Sequence, residues 1–178
     1  GTYSGIFVRS TDQGETWNQI SNGIPSNARL VIGVTPAAPD FVYVMAAKSD
    51  NGFMGLYKSI NGGEQFIEMS SGPNILDWSC DGSGSGGQAW YDLALTVDHT
   101  DPNTIYTGGV NIWKSTNGGS DWNINAHWYG GCGVPAVHAD QHFFKVNPLN
   151  GKIYAANDGG VYWTSNGGIV WHEISTGL

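Results

Sequence analysis

Two stretches of the chain gather residues able to do chemistry, and a third position joins them. The run His138-Ala-Asp140-Gln-His142 places two imidazoles and a carboxylate at alternate positions. In an extended strand all three would face one side, with the histidines about 13 Å apart at roughly 3.3 Å per residue. Zinc–nitrogen bonds of about 2.0–2.1 Å keep two such rings from sharing one ion. A transition metal would therefore take Asp140 with one histidine and a ligand from elsewhere, Asp158 or Asp92. Asp140, His142 and Asp158 are the candidate set, against the plainer reading of a hydrogen-bonded network that orients loops. Asp77, Asp81 and Asp158, set among Gly and Asn, could offer oxygens to calcium, although none fits the twelve-residue calcium loop.

The second stretch is Trp90-Tyr91-Asp92. Flat rings beside carboxylates and amides suit a sugar, stacking on its apolar face and bonding its hydroxyls. Trp90, Tyr91, Asp92, Trp128, Tyr129, His138, Asp140 and His142 form the candidate ligand surface; core packing is the competing use of the rings. Asp92 and Asp140 are the pair to nominate if the chain hydrolyses glycosides, a reaction that needs two opposed carboxyls. A sialidase needs clustered arginines for its substrate carboxylate, and the chain has Arg9 and Arg29 alone. No nucleophile elbow, phosphate loop or zinc-protease helix is present.

A repeat positions these residues. One eight-residue pattern, Ser/Thr-x-Asp/Asn-x-Gly-x-x-aromatic, occurs four times: Ser10 to Trp17, Ser59 to Phe66, Ser115 to Trp122 and Thr164 to Trp171. Its structural positions are Asp12, Gly14 and Trp17; Asn61, Gly63 and Phe66; Asn117, Gly119 and Trp122; Asn166, Gly168 and Trp171. The acidic or amide side chain can accept from backbone N–H groups two or three residues on. The glycine supplies a positive φ, and the ring folds onto a neighbouring strand. A spacing of about 50 residues fits one four-stranded propeller blade. The four Asp/Asn positions fall at equivalent turns around a rim, where they cannot converge on one substrate.

A turn and a strand precede each later copy, at Pro39 to Tyr43, Pro102 to Tyr106 and Asn150 to Tyr154. Upstream lie further strands, Leu30–Val34, Tyr91–Val97 and His142–Val146. The expected fold is all-β, made of four-stranded antiparallel β-propeller blades. A half blade spans 1–27 and full blades span about 28–70, 88–126 and 137–176. Three and a half blades leave strand edges and a blade face open, so the reading is a segment of a longer propeller rather than self-closure by copies.

Equivalent positions in adjacent blades are neighbours in space. Trp90–Asp92 and His138–His142, each at the entry to an inner strand, should thus line one mouth of the propeller. Cys80 and Cys132 fall in glycine-rich loops one blade apart, and a disulfide between them suits an exported protein.

Fifteen Asp and Glu oppose seven Lys and Arg, for a net charge of −8. Such a chain repels phosphate backbones, which argues against a nucleic-acid partner. No apolar run reaches the roughly 20 residues of a membrane-spanning helix. The sequence starts in strand-like residues, so a signal peptide is either already removed or lies outside this stretch.

The repeated pattern resembles the Asp-box of sialidases, xyloglucan-cleaving glycosidases and sortilin-like receptors. Gly86–Leu93, Tyr106–Ser115, Val137–His142 and Asn157–Tyr162 resemble more closely the large secreted Bacteroidetes proteins with BNR/Asp-box propellers exported by the type IX pathway. That resemblance implies an extracellular or cell-surface location and a bacterial source, and no single activity. No cofactor is expected beyond the metal or calcium candidates above, and the expected partners are the remaining blades or other domains of a larger protein. The functional expectation is a non-catalytic binding or scaffolding module for a polysaccharide or protein; the alternative is a fragment of a xyloglucanase-like glycoside hydrolase using Asp92 and Asp140.

Overall fold

The computed structural model describes residues 5–175, so the outermost residues assigned to the half blade and the last blade lie outside the described range. A short hairpin, β1 (Val8–Arg9) with β2 (Asn18–Gln19), is followed by three four-stranded antiparallel sheets. They are β3–β6 (Arg29–Val34, Val42–Ala47, Phe53–Ser59, Ile67–Ser70), β7–β10 (Ala94–Val97, Ile105–Gly108, Ile112–Ser115, Asn123–Ala126) and β11–β14 (Gln141–Val146, Ile153–Asn157, Gly160–Thr164, His172–Glu173). Strands pair in sequence order within each sheet, and the first strands β3, β7 and β11 pack side by side. This is the arrangement of β-propeller blades around an axis. Among the described residues there is no helix.

The core lies between sheets. Tyr43, Met45 and Leu56 of the first sheet pack with Leu95, Ile105, Trp113 and Trp122 of the second. Ala94, Tyr106 and Ile112 pack with Phe144, Ile153 and Trp171 of the third. A sheet covered on both faces reads as a continuous apolar run, and β4, Val-Tyr-Val-Met-Ala-Ala, is buried at every position.

The four repeated turns share one hydrogen-bond pattern. The hydroxyls of Ser10, Ser59, Ser115 and Thr164 donate to the Oδ1 of Asp12, Asn61, Asn117 and Asn166 at 2.7–2.9 Å. Each hydroxyl also accepts from the N–H of Gly14, Gly63, Gly119 or Gly168, at 2.8–3.0 Å. The Asp/Asn oxygen reaches the N–H four residues on, at Thr16, Gln65, Asp121 and Val170, rather than the two or three expected. The serine or threonine at the first position takes the nearer N–H and displaces that bond outward. The four glycines have φ between 86° and 95°, the left-handed region that disfavours a Cβ.

The ring that closes each motif packs on the preceding blade. Trp122 Nε1 donates to Ser70 Oγ at 3.0 Å, Trp171 Nε1 to Asn125 Oδ1 at 3.3 Å, and Phe66 meets Phe7 edge to face at 5.0 Å. Phe66, Trp122 and Trp171 are 2%, 7% and 9% exposed; Trp17, with no preceding blade among the described residues, is 62% exposed.

Antiparallel strands send these turns and the Pro/Asn turns to one end, where Gly62 and Gly118 donate to the carbonyls of Asp40 and Asn103. Loops entering β7 and β11, with the β4–β5, β8–β9 and β12–β13 turns, meet at the other end, where Gln141 N–H donates to Gly109 and Ala89 N–H to Asn51. All candidate ligand residues lie at this second end, which forms the mouth.

Trp122→Ala is expected to cost about 3–5 kcal/mol in denaturant unfolding, as for a large ring removed from a core. Trp17→Ala should cost about 0.5 kcal/mol or less, the range of surface substitutions. Equal losses at both positions would contradict the packing assigned to the motif.

Candidate site at the propeller mouth

Two long loops build the mouth. The loop at 71–93 folds around Asp77, which is buried and accepts from Ser79 N–H and Oγ at 2.6 and 2.7 Å and from Gly84 N–H. Asn74 ties the same loop to the first sheet by accepting from Phe53 N–H at 2.7 Å, and its amide donates to Gly86 O at 2.8 Å. A disulfide joins Cys80 to Cys132 in the next loop, with Cα atoms 5.7 Å apart, as the equivalent loop positions led one to expect.

Residues 88–92 form a turn, with the N–H groups of Tyr91 and Asp92 donating to Gln88 O at 2.8 and 3.2 Å. The strand expected from Tyr91 therefore begins at Ala94. This turn carries Asp92 inward, where it has no exposed surface. Gln88 Nε2 donates to Asp92 Oδ2 at 2.9 Å and also to Asp140 Oδ1. The Asp92 carboxyl is pushed up to about 7, first by burial and further by the negative charge of Asp140, while the Gln88 bond opposes the rise.

The run from His138 to His142 is not one extended strand. Asp140 sits at φ 68° and turns its carboxylate toward Gln88, and strand β11 starts only at Gln141. The β11–β12 register then slips between Gln141 and Phe143, a bulge that aims His142 away from the regular alternation. His142 Nε2 lies 2.6 Å from Asp158 Oδ1, and the Tyr91 hydroxyl donates to the same carboxylate at 2.8 and 3.1 Å. The Tyr91 and His142 rings meet edge to face at 4.9 Å. Bonds from His142 and then Tyr91 hold the Asp158 carboxyl below its ordinary range, and the Asp158 bond raises the Tyr91 phenol. His138 is exposed, with Nδ1 3.2 Å from Ala139 O.

Three rings form a second cluster. Trp128 N–H donates to Asn111 Oδ1 at 3.1 Å, and its ring meets Tyr129 edge to face at 4.6 Å. Tyr129 in turn packs on His127 at 4.2 Å. Trp90 and Tyr129 are 67% and 64% exposed, so these rings are not spent on core packing.

The geometry separates the proposed metal ligands. Asp140 is committed to Gln88, while His142 and Asp158 pair with each other. Among the described residues, one trio of His, Cys or acidic ligand atoms lies within 4.8 Å: Cys80, His127 and Cys132, whose sulfurs are both in the disulfide. Of the carboxylates considered for calcium, Asp77 is occupied by its own loop and Asp81 accepts from Ser83 N–H at 3.1 Å. Asp158 is held by Tyr91 and His142.

Asp92 and Asp140, the pair nominated for glycoside hydrolysis, are brought to one side chain. Both accept from one nitrogen, Gln88 Nε2. Asp92 is enclosed and presents no surface to solvent in this arrangement.

Sequence reasoning passed over Gln88, Gln141 and His127. Gln141 is fully buried, donates to His138 O at 2.6 Å and accepts from Asn157 Nδ2 at 3.3 Å. His127 is almost fully buried, and its Nδ1 accepts from Gly131 N–H at 3.3 Å. The four-residue spacing of Gln88 and Asp92 was the available signal for the first; Gln141 and His127 had none beyond adjacency to the candidate residues.

No family model matches the chain. It is 30% identical over 142 residues to a xyloglucanase of Hypocrea jecorina (strain QM6a), covering 67% of this chain and 16% of that protein. To a xyloglucanase of Paenibacillus sp. it is 29% identical over 188 residues, covering 90% of this chain and 17% of that one. The GH74 xyloglucanase from Xanthomonas campestris superposes with a TM-score of 0.65 at 17% identity, covering 98% of this chain and 28% of that structure. The chain thus spans about a sixth of the curated relatives it matches. The structural likeness shows the propeller fold.

Replacing Cys80 and Cys132 together by Ser is expected to lower stability by about 2–5 kcal/mol. Denaturant unfolding of the oxidised and reduced protein checks this, and unchanged midpoints would contradict a disulfide that pins the two loops.

Proposed function

We propose that this chain is the glycan-binding propeller portion of a xyloglucanase-like glycoside hydrolase that acts outside the cell. The observation that carries the reading is the exposed aromatic surface at the mouth, Trp90 and Tyr91 in one cluster and Trp128 and Tyr129 in the other. Hydrogen-bonding groups flank it at Asp158, His142 and Asp140. Rings supply stacking area at low entropic cost, and the flanking groups fix orientation through sugar hydroxyls. The acidic balance of the chain suits a neutral polysaccharide rather than one carrying uronates or sialic acid. The sequence likeness to two xyloglucanases supports the substrate class.

The enclosure of Asp92 favours binding over bond cleavage as this chain's own task, with at least one catalytic carboxyl supplied from beyond it. Export fits the Cys80–Cys132 disulfide, since such bonds persist in oxidising compartments.

Affinity electrophoresis in gels containing xyloglucan should retard the chain, and Trp90→Ala should weaken binding about tenfold, a loss of about 1.4 kcal/mol. Migration unaffected by xyloglucan or by other neutral β-glucans would overturn the proposal.

A further inference from the structure

Asp92 is held in an unusual way. Its carboxyl is fully enclosed, yet Oδ1 has no hydrogen-bond partner and Oδ2 has Gln88 alone. A buried carboxylate normally satisfies several lone pairs, and an orphaned oxygen in a low-dielectric site is costly. Among the described residues, the neighbouring elements offer no cation to relieve it. The β8–β9 turn presents Gly109, where a Cβ would sit 3.6–3.7 Å from both Asp92 oxygens, and the loop entering β11 presents Asp140. Arg29 lies on the first sheet, but its guanidinium is committed to Ala89 O at 2.6 Å. Tyr91, Asp158, His142 and His138 belong to the neighbouring surface cluster.

We propose that Asp92 and Asp140 share one proton around neutral pH, forming a clasp between loops of adjacent blades that positions Trp90 and Tyr91. In the clasped form the protonated Asp92 carboxyl donates to the Asp140 carboxylate, which leaves one negative charge on the pair and makes the enclosed Asp92 carboxyl neutral. Gln88 Nε2 bonds both members and keeps them in register. Loss of the proton to solvent leaves two like charges, that of Asp92 enclosed, and their repulsion drives the 88–92 turn away from Asp140. Trp90 and Tyr91 sit on that turn between Gln88 and Asp92, so they move with it. The upward shift of Asp92 to about 7 agrees with this placement. An effect on glycan binding rests on the function proposed above; the clasp itself does not.

The sign of the pH dependence follows from linkage. The folded chain keeps a proton that the unfolded chain releases near pH 4, so stability falls as pH rises from about 4 to about 7 and levels off above. Thermal unfolding of the full chain between pH 5 and pH 8 should show a fall in Tm about 5–10 °C larger in the wild type than in Asp92→Asn. The amide keeps a donor for Asp140 and cannot titrate, so the difference isolates the clasp from His138 and His142. Infrared spectra at pH 6 should contain a protonated-carboxyl band that is absent in Asp92→Asn and shifted in Asp140→Asn, whose acceptor is an amide. Should Asp92→Asn fail to fold, the wild-type band and its shift in Asp140→Asn decide. Equal pH slopes in wild type and Asp92→Asn, or no protonated-carboxyl band at pH 6, would overturn the proposal. So would a rise in Tm with calcium chloride that Asp92→Asn abolishes, since a cation would then hold the place given to the proton. Xyloglucan binding that is weak at every pH, with the stability slope intact, would sink the proposed function and leave the clasp standing.

Discussion

Among the described residues no helix covers a sheet, and the buried faces of the three four-stranded sheets are covered by one another, so each blade depends on the blades beside it. The dependence is concentrated at one side chain per repeat. The ring that ends each motif reaches back across the inter-blade gap to the preceding sheet, through Trp122 to Ser70 and Trp171 to Asn125. Gly119 and Gly168 lie against Leu56 and Asn125 of the preceding sheet, where a Cβ would collide. The glycine thus serves both the turn and the close approach of blades. Trp17 shows the same motif without its neighbour: the turn is formed, and the ring is left in solvent.

That interlocking sets the geometry of the mouth. Because β3, β7 and β11 are neighbours, the loops that enter β7 and β11 and the short turns at that end converge. Gln88 meets Asp140 across 52 positions of sequence, and Tyr91 meets Asp158 across 67. The disulfide spans another 52. None of these contacts is local, yet each joins positions one blade apart or less. Rigid sheets carry the loops, and the loops carry the polar and aromatic groups, a division common in binding proteins.

The repeat made the architecture legible before any coordinates. The motif spacing placed the turns, and equivalence between blades placed Cys80 beside Cys132 and the Trp90 region beside the His138 region. What the repeat could not convey was deviation from it. The Gln88–Asp92 turn replaces the start of a strand and carries Asp92 inward, beneath the rings beside it. The positive φ of Asp140 and the bulge at His142 split a run that reads as one face into two separate partnerships. Such irregularities depend on which neighbour a side chain finds in the folded state. Pattern reasoning therefore found the residues of the mouth more readily than their pairings.

A propeller of this kind supports many activities, so function rests on the mouth rather than on the fold. On the proposals above, the exposed rings are the glycan surface and the Asp92–Asp140 pair is their support. The most direct measurement is a crystal structure of the chain with a xyloglucan oligosaccharide. The account predicts sugar rings stacked on Trp90 and on Trp128 or Tyr129, with hydroxyls bonded to Asp158 or His142 and Asp92 untouched beneath. An oligosaccharide bound at the opposite end among the repeated turns, or none bound under saturating conditions, would contradict it.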